Sequence, residues 1–199
     1  EHRARLFTKY TEAVFTGAIG TGKSTLAIYT MAYQLYVLSC YRQPQLAFDL
    51  DPTSEIVMVF QNRTERLAKA VDYDRFKALV EQAPYFKKHF RFDHRVKSEL
   101  RFPNRVIVKP VSGADTAVIG QNVIGGVIDE INFMDTIERS SRSHDGRRYD
   151  QATALYESIA RRRGSRFQRR GKLPGVLCLV SSRRYPGQFT DTMEQERQR

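Results

Sequence analysis

The chain has 199 residues, of which 41% are hydrophobic and 28% are charged, a composition typical of a globular domain rather than of a disordered or membrane-embedded chain. Its net charge is +11, and residues 131–199 carry much of the excess, with fifteen Lys/Arg against eight Asp/Glu. This surplus favours a polyanionic partner, with nucleic acid ahead of a membrane surface. The two cysteines and four histidines have no repeated spacing, so neither a disulfide framework nor a histidine metal site is predicted.

The strongest motif lies near the amino terminus and fits the pattern G-x-x-x-x-G-K-[ST]. Its glycines let the backbone curl, so that several N–H groups can point at one set of phosphate oxygens, and the dipole of the following helix adds to the anion field. We expect Lys23 to reach the β- and γ-phosphates of ATP and the Ser24 hydroxyl to ligate Mg²⁺. The predicted nucleotide-binding residues are Gly17, Ala18, Ile19, Gly20, Thr21, Gly22, Lys23, Ser24 and Thr25.

Strands and helices alternate along the chain, which predicts an α/β fold of the P-loop NTPase (RecA/ASCE-like) type, with a mostly parallel sheet and helices on both faces. Strands are predicted at residues 13–15, 55–60, 123–128 and 175–180, and a hairpin at 98–111. Helices are predicted from Lys23 to about residue 40, over a stretch that stops at Pro84, after an Asp150 N-cap, and from Phe189. The longest apolar stretch, 26–40, is too short to span a bilayer. Residues 41–54 predict a loop, and 135–150 a loop with at most a short helix.

An apolar strand that ends in two acids, Asp129 and Glu130, supplies what hydrolysis needs beyond a phosphate cradle. Asp129 is predicted to be a second protein ligand of Mg²⁺, and Glu130 is predicted to orient or deprotonate the attacking water. Glu130 and Lys23 are therefore the predicted catalytic residues. Two adjacent acids argue against a small-molecule kinase. Ser181 and Ser182 end the next buried strand at the same edge of the sheet, where their hydroxyls either sense the γ-phosphate or form a cap or polar turn.

These residues together resemble the ATPase domain of the large terminase subunits of tailed bacteriophages, the motors that pump double-stranded DNA into procapsids. The matching pieces are the glycine loop, the acidic strand end 106 residues after Lys23, and the strand that ends in Ser181 and Ser182. The resemblance implies ATP hydrolysis with Mg²⁺ and a coupling role for the two serines. It also implies double-stranded DNA, a homo-oligomeric ring, a portal and a small terminase subunit as partners, no membrane, and a place in the host cytoplasm and transiently on the procapsid.

Two departures from that family pattern matter. Such proteins usually continue into an RNase H-like nuclease, which does not fit within 199 residues, so no cleavage activity is expected here. The little room before the first strand and the final helix that runs out at Arg199 predict that residues 1–199 are a motor domain cut from a longer chain at both ends. Many terminases have an arginine shortly before the acidic strand that reaches the ATP of a neighbouring subunit, but no Lys or Arg lies between Lys109 and Glu130. A trans-acting arginine, if used, must be one of Arg139, Arg142, Arg147, Arg148, Arg183 and Arg184.

Residues 161–172, called the basic segment below, hold seven basic residues and no acid. They are predicted to hold DNA phosphates or to contact a neighbouring subunit, against the alternative of a solvated helix end. The residues are Arg161, Arg162, Arg163, Arg166, Arg169, Arg170 and Lys172. Two other functions stay open: a different nucleic-acid-dependent ATPase such as a helicase, and a non-hydrolysing, nucleotide-gated scaffold that binds DNA.

Overall fold

A computed structural model of the chain describes residues 6–7, 9–112, 118–138, 148–183 and 185–198. Its strands are β1 (Glu12–Gly17), β2 (Ile56–Gln61), β3 (Leu100–Arg101), β4 (Val106–Val111), β5 (Val123–Ile128), β6 (Thr136–Glu138), β7 (Arg148–Asp150) and β8 (Leu177–Ser182). Its α-helices are α1 (Lys23–Ser39), α2 (Pro44–Ala47), α3 (Glu65–Leu67), α4 (Asp74–Gln82), α5 (Pro84–His89), α6 (Gln151–Phe167) and α7 (Phe189–Gln198). A π-helical segment, Ala68–Tyr73, joins α3 to α4.

Six strands form one sheet in the order β1-β8-β5-β2-β4-β3. All neighbouring pairs are parallel except the β3–β4 edge, which is antiparallel. Because β1, β8 and β5 are adjacent and parallel, their carboxyl ends meet at one edge, where ligands of open α/β sheets bind. The predicted α/β fold with a mostly parallel sheet is therefore confirmed.

Apolar side chains cover both faces of this sheet. Successive residues of β2 alternate between two buried clusters, so that Met58 and Phe60 pack with α1 and α4, whereas Val57 and Val59 pack on the side of α6. Every residue of β2 and of β5 is buried, which explains why these strands read as continuous apolar runs. Gly126 is required by close packing, because a Cβ built there would lie 2.4 Å from the Val59 carbonyl oxygen.

Several local predictions are confirmed. The hairpin of β3 and β4 turns through a 3₁₀ segment, Pro103–Arg105, with Asn104 in the left-handed region. The Asp150 side chain caps α6 by accepting a hydrogen bond from the Thr153 N–H. Pro84 ends one helix and opens the next at a first-turn position, where its missing N–H costs nothing.

Two expectations need correction. Residues 135–150 contain no described helix but the antiparallel pair β6 and β7, and residues 139–147 lie outside the described part of the chain. The stretch 41–54 includes the short helix α2. Ser181 and Ser182 end β8, as predicted. The π-helical segment was not predicted, because its sequence has the same apolar spacing as an α-helix. No helix in the described ranges is long and apolar enough to cross a membrane.

Candidate active site

The glycine loop links the end of β1 to the start of α1. Gly20 and Gly22 adopt positive φ angles of 83° and 82°, which glycine tolerates without strain, and this turns the chain directly into the helix at Lys23. The Lys23 ammonium folds back over its own loop and donates to the carbonyl oxygens of Gly17, at 3.2 Å, and Ala18, at 2.6 Å. These are replaceable contacts, so the lysine can turn towards an anion at the same place.

The loop is joined to the acidic strand end by one hydrogen bond. The Ser24 hydroxyl donates to Oδ2 of Asp129 at 3.2 Å, across 105 residues of sequence. A hydroxyl and a carboxylate are hard oxygen donors, and Mg²⁺ at nucleotide sites takes one or two such ligands and completes its shell with phosphates and water. The pair therefore fits Mg²⁺, although the described residues contain no group of three His, Cys, Asp or Glu side chains that could hold a metal ion alone.

Glu130 adopts a conformation that is rare for a residue with a side chain. Its φ of 55° lies in the left-handed region, and its N–H donates to Oδ1 of Asp129 at 2.9 Å. A single 3₁₀ turn, Ile131–Phe133, follows it directly. Such strained backbone costs on the order of 1 kcal/mol and occurs preferentially at functional sites. The turn fixes where the Glu130 carboxylate points relative to Asp129.

Three carboxyl groups lie close together beside the loop, and burial changes their acidity. Burial raises the pKa of Asp129, against the hydrogen bond from the Glu130 N–H and the nearby charge of Lys23. Burial and the Asp129 charge raise the pKa of Glu130. Burial, followed by the Asp129 charge, raises the pKa of Asp72 to about 8. Asp72 therefore keeps its proton at neutral pH beside the carboxyl groups of Asp129 and Glu130.

The strand that ends in two serines is tied to the acidic turn through Asn132. The buried Asn132 donates its N–H to the Ser181 hydroxyl at 3.1 Å, and its amide Nδ2 donates to the Ser182 carbonyl oxygen at 3.2 Å. The same amide group also donates to the Thr190 hydroxyl, at 2.9 Å, and accepts from the Thr190 N–H, at 3.2 Å. Asn132 thus connects the turn after Glu130, the end of β8 and the first turn of α7.

A surface cavity of about 330 Å³ opens where these parts meet. Its lining contains predicted residues from all three strand ends together with one residue that was not predicted, Arg75 of α4. The lining residues are Ile19, Gly20, Gly22, Lys23, Ser24, Thr25, Arg75, Asp129, Glu130, Ser181 and Ser182. Arg75 was not predicted because the family pattern places its arginine shortly before the acidic strand, and Arg75 lies far from that strand in sequence. Asp72, three residues earlier, is an acid on the apolar face of a helix, and this unusual position in the sequence could have indicated a functional site near Arg75.

The basic segment does not form one charged surface, and its prediction needs correction at Arg163. That side chain is only 1% exposed, and its guanidinium donates to the carbonyl oxygens of Ile124, Pro174 and Gly175. A residue enclosed in this way cannot touch DNA. Its neighbours are also partly engaged, with Arg162 bonded to the Val118 carbonyl and Arg169 to Asp49.

The exposed part of the basic segment is consequently smaller than predicted. Arg161 is exposed but paired with Glu157, one turn earlier in α6. Arg166, Arg170 and Lys172 are exposed, and none of them has an ion pair with a described residue.

Among the predicted trans-acting arginines, Arg183 is the one whose side chain belongs to the described residues. It forms ion pairs with Asp191, at 3.8 Å, and Glu194, at 3.0 Å, on α7. Arg139, Arg142, Arg147 and Arg184 lie outside the described residues, as does the side chain of Arg148. An arginine that reaches a neighbouring subunit therefore stays a prediction.

The sheet order, the glycine loop and the position of Asp129 define a P-loop domain of the α/β class. The chain belongs to the family described as "Uncharacterized protein MJ0330, N-terminal P-loop domain", whose model matches residues 1–198. No curated protein sequence matches the chain significantly.

Solved structures similar to this chain include bacteriophage large terminases. The large terminase of a thermophilic bacteriophage superposes with a TM-score of 0.56 at 13% identity, covering 95% of this chain and 38% of that one. The large terminase of bacteriophage HK97 gives a TM-score of 0.52 at 15% identity, covering 86% of this chain and 29% of that one. This chain thus spans roughly a third of the length of either protein. At such low identity the likeness shows the shared fold, and at that level the predicted resemblance is confirmed.

Proposed function

We propose that this chain is an ATP-hydrolysing motor domain that translocates double-stranded DNA in viral genome packaging. The observation that carries the proposal is the hydrogen bond between Ser24 and Asp129, in a cavity lined also by Lys23 and Glu130. These four side chains come from two strand ends separated in sequence by more than one hundred residues, yet they converge at the edge where P-loop proteins bind phosphates.

Each of the four side chains has a distinct task in hydrolysis. Lys23 exchanges the loop carbonyls of Gly17 and Ala18 for phosphate oxygens and balances their negative charge. Ser24 and Asp129 would hold Mg²⁺, which neutralises charge on the β- and γ-phosphates when bound. Glu130 orients the attacking water and accepts its proton, a task that its raised pKa favours because the carboxylate becomes a stronger base.

The link from hydrolysis to movement runs, in this proposal, through Asn132. Its bonds join the turn that carries Glu130 to the end of β8 and to α7, so a change at the γ-phosphate reaches a helix outside the cavity. The serines predicted as a coupling motif have two roles here. Both line the cavity, and both also bond to Asn132, Ser181 through its hydroxyl and Ser182 through its carbonyl.

DNA as the substrate is supported by the net charge of +11 and by the names of the structural neighbours, which are terminases. A polycation gains affinity for any duplex through the release of condensed counterions, without reading sequence. That property suits a motor that must move along a whole genome. The proposal includes a homo-oligomeric ring that acts on the procapsid in the host cytoplasm, with a portal and a small terminase subunit as partners.

The experiment measures ATP turnover with and without double-stranded DNA, and translocation by displacement of a triplex-forming oligonucleotide. We expect DNA to stimulate turnover, and triplex displacement to require ATP. Lys23→Ala is the matched control and should lose both activities because phosphate binding fails. A parent protein that hydrolyses ATP without displacing the triplex would support an ATPase and reject the translocase. A parent that binds ATP without any turnover would support the nucleotide-gated scaffold instead.

A further inference from the structure

Arg75 is a cation in the cavity that the functions assigned so far leave unused. It lies in the first turn of α4, where its guanidinium Nη2 donates to the Thr25 hydroxyl at 2.7 Å. Thr25 directly follows Ser24, so this contact holds the arginine at the mouth of the glycine loop. Arg75 is exposed, and no carboxylate of the described residues lies within 4.0 Å of it as an ion-pair partner. Of its five N–H donors, one is used in this contact.

The position of Arg75 in the cavity can be located from Asp72, its neighbour in the same helical stretch. Asp72 is 1% exposed and lies near the end of the π-helical segment, three residues before Arg75, and no donor from the described residues reaches either of its carboxylate oxygens. The charges that act on Asp72 include those of Asp129 and Arg75. Arg75 lines the same cavity as Ser24 and Asp129, which are joined by a hydrogen bond. Ser24 and Asp129 are the residues that would hold Mg²⁺ in this cavity, so Arg75 lies on the phosphate-binding side of the fold.

The π-helical segment, Ala68–Tyr73, ends directly before the helix that carries Arg75. A π-turn inserts about one extra residue and rotates everything after it by roughly 100° relative to a regular α-helix. Asp72 and Arg75, three residues apart, lie on the same side of this helical stretch, with Asp72 buried and Arg75 exposed. Single π-turns of this kind occur frequently at functional sites.

We propose that Arg75 binds the terminal phosphate of the nucleoside triphosphate from within the same subunit. The inference rests on the nucleotide site proposed above and is independent of DNA translocation. A guanidinium presents paired N–H groups that match two phosphate oxygens, and its bond to an uncharged, exposed threonine hydroxyl is easily exchanged for a charged partner.

The proposed contact would make the site bind a nucleoside triphosphate more tightly than a diphosphate. A residue that reaches only the terminal phosphate adds affinity for ATP and little for ADP, so release of phosphate frees the arginine. The helical stretch from Ala68 to Gln82 would then carry the nucleotide state away from the cavity by a route separate from α7. This is a role in binding and sensing, made by one chain, and needs no arginine from a neighbour.

The test measures dissociation constants of a non-hydrolysable ATP analogue and of ADP, both with Mg²⁺, for the parent, Arg75→Ala and Arg75→Lys. We expect Arg75→Ala to weaken analogue binding by about 10-fold to 100-fold and ADP binding by less than about 3-fold. Arg75→Lys should retain part of the affinity, since it keeps the charge but loses the paired geometry. The matched control is Lys69→Ala, which removes an exposed cation from the same helical stretch but away from the cavity.

Three results would overturn the inference: unchanged analogue binding in Arg75→Ala, an equal loss for analogue and ADP, or an equal loss in Lys69→Ala. Each result stays distinct from a failure of the proposed nucleotide site. If the proposed nucleotide site is wrong, the parent protein binds neither nucleotide, and Lys23→Ala does not change nucleotide binding. Circular dichroism melts of each variant exclude misfolding, which is not expected because alanine and lysine are both good helix formers.

Discussion

The cavity at the strand ends and the basic segment were both predicted from charged residues. The predicted residues of the cavity lie together in the structure, whereas those of the basic segment do not form one surface. Lys23, Asp129 and Glu130 lie together around one cavity, because each is fixed to the end of a parallel strand or its following helix. The charged residues of the basic segment share only their positive charge. The helical period of α6 places one of them in the core and others at the surface. Arg163 lies four residues after Ile159 and four before Phe167, and all three are buried. The role of a charged side chain therefore depends on where the fold places it, and a run of charges in the sequence does not determine that role.

Glu130→Gln is the change with the largest expected effect, and it tests the cavity side of this comparison. The amide keeps the size of the side chain but cannot accept the proton of the attacking water, so we expect ATP turnover to fall by about 10²-fold to 10⁴-fold. ATP binding should stay within a few-fold of the parent. The measurement is steady-state phosphate release together with nucleotide titration. Glu196→Gln, an exposed change on α7, serves as the control, and equal turnover in both variants would contradict the role of Glu130.

Arg163→Ala tests the other side, since the structure assigns this residue to the core. Its removal leaves three buried carbonyl oxygens without their donor and a cavity under α6, so we expect a loss of about 3–5 kcal/mol in the free energy of unfolding. Arg166→Ala, at an exposed position of the same helix, should change it by less than about 0.5 kcal/mol. Urea denaturation of both variants measures the difference. Similar midpoints would mean that the basic segment is a uniform surface after all.

The buried acids predict a pH dependence that the basic segment does not share. The pKa of Asp72 is raised from 3.8 to about 8 in the folded state, so between these values the folded protein holds a proton that the unfolded chain has released. Stability of the nucleotide-free protein should therefore fall as pH rises from 4 to 8. Asp72→Asn cannot ionise and should lessen this decline, by roughly 1–3 kcal/mol at pH 8.

Melting temperatures of the parent and Asp72→Asn at pH 5, 6, 7 and 8 provide this comparison. The raised pKa values of Asp129 and Glu130 act in the same direction, so some slope remains in the variant. Parallel curves for the two proteins would show that Asp72 is ionised and stabilised in the folded state by a partner.

The smallest expected effect concerns the exposed remainder of the basic segment. Changing Arg166, Arg170 and Lys172 together to Ala should weaken binding to all duplexes alike and lower the slope of log K against log salt by about 0.9 for each lost phosphate contact. Arg162 and Arg169 are left intact because they bond to Val118 and Asp49. Duplex titrations at several salt concentrations measure the slope. An unchanged slope would favour the subunit contact over DNA.

The sequence predicted the fold class and the position of the cavity because both follow from local rules. A glycine loop between a strand and a helix, and an acid pair after a buried strand, can be recognised wherever they occur. The Asn132 contacts escaped prediction because they join residues distant in sequence. The π-helical segment escaped it because its apolar spacing is that of an α-helix. Arg163 was within reach, since the apolar period of α6 includes Leu155, Ile159 and Phe167 at spacings of four and eight.

The four hydrogen bonds of Asn132 have a mechanical consequence. Hydrogen bonds weaken steeply when their atoms separate by more than a few tenths of an ångström, and a buried amide has no water to replace a lost partner. If the turn at Glu130 shifts when phosphate leaves, the start of α7 must shift with it or those bonds must break. Spectroscopic labels on α7 would then report the chemical state of a site that they never touch, and one short side chain would set the stiffness of that connection.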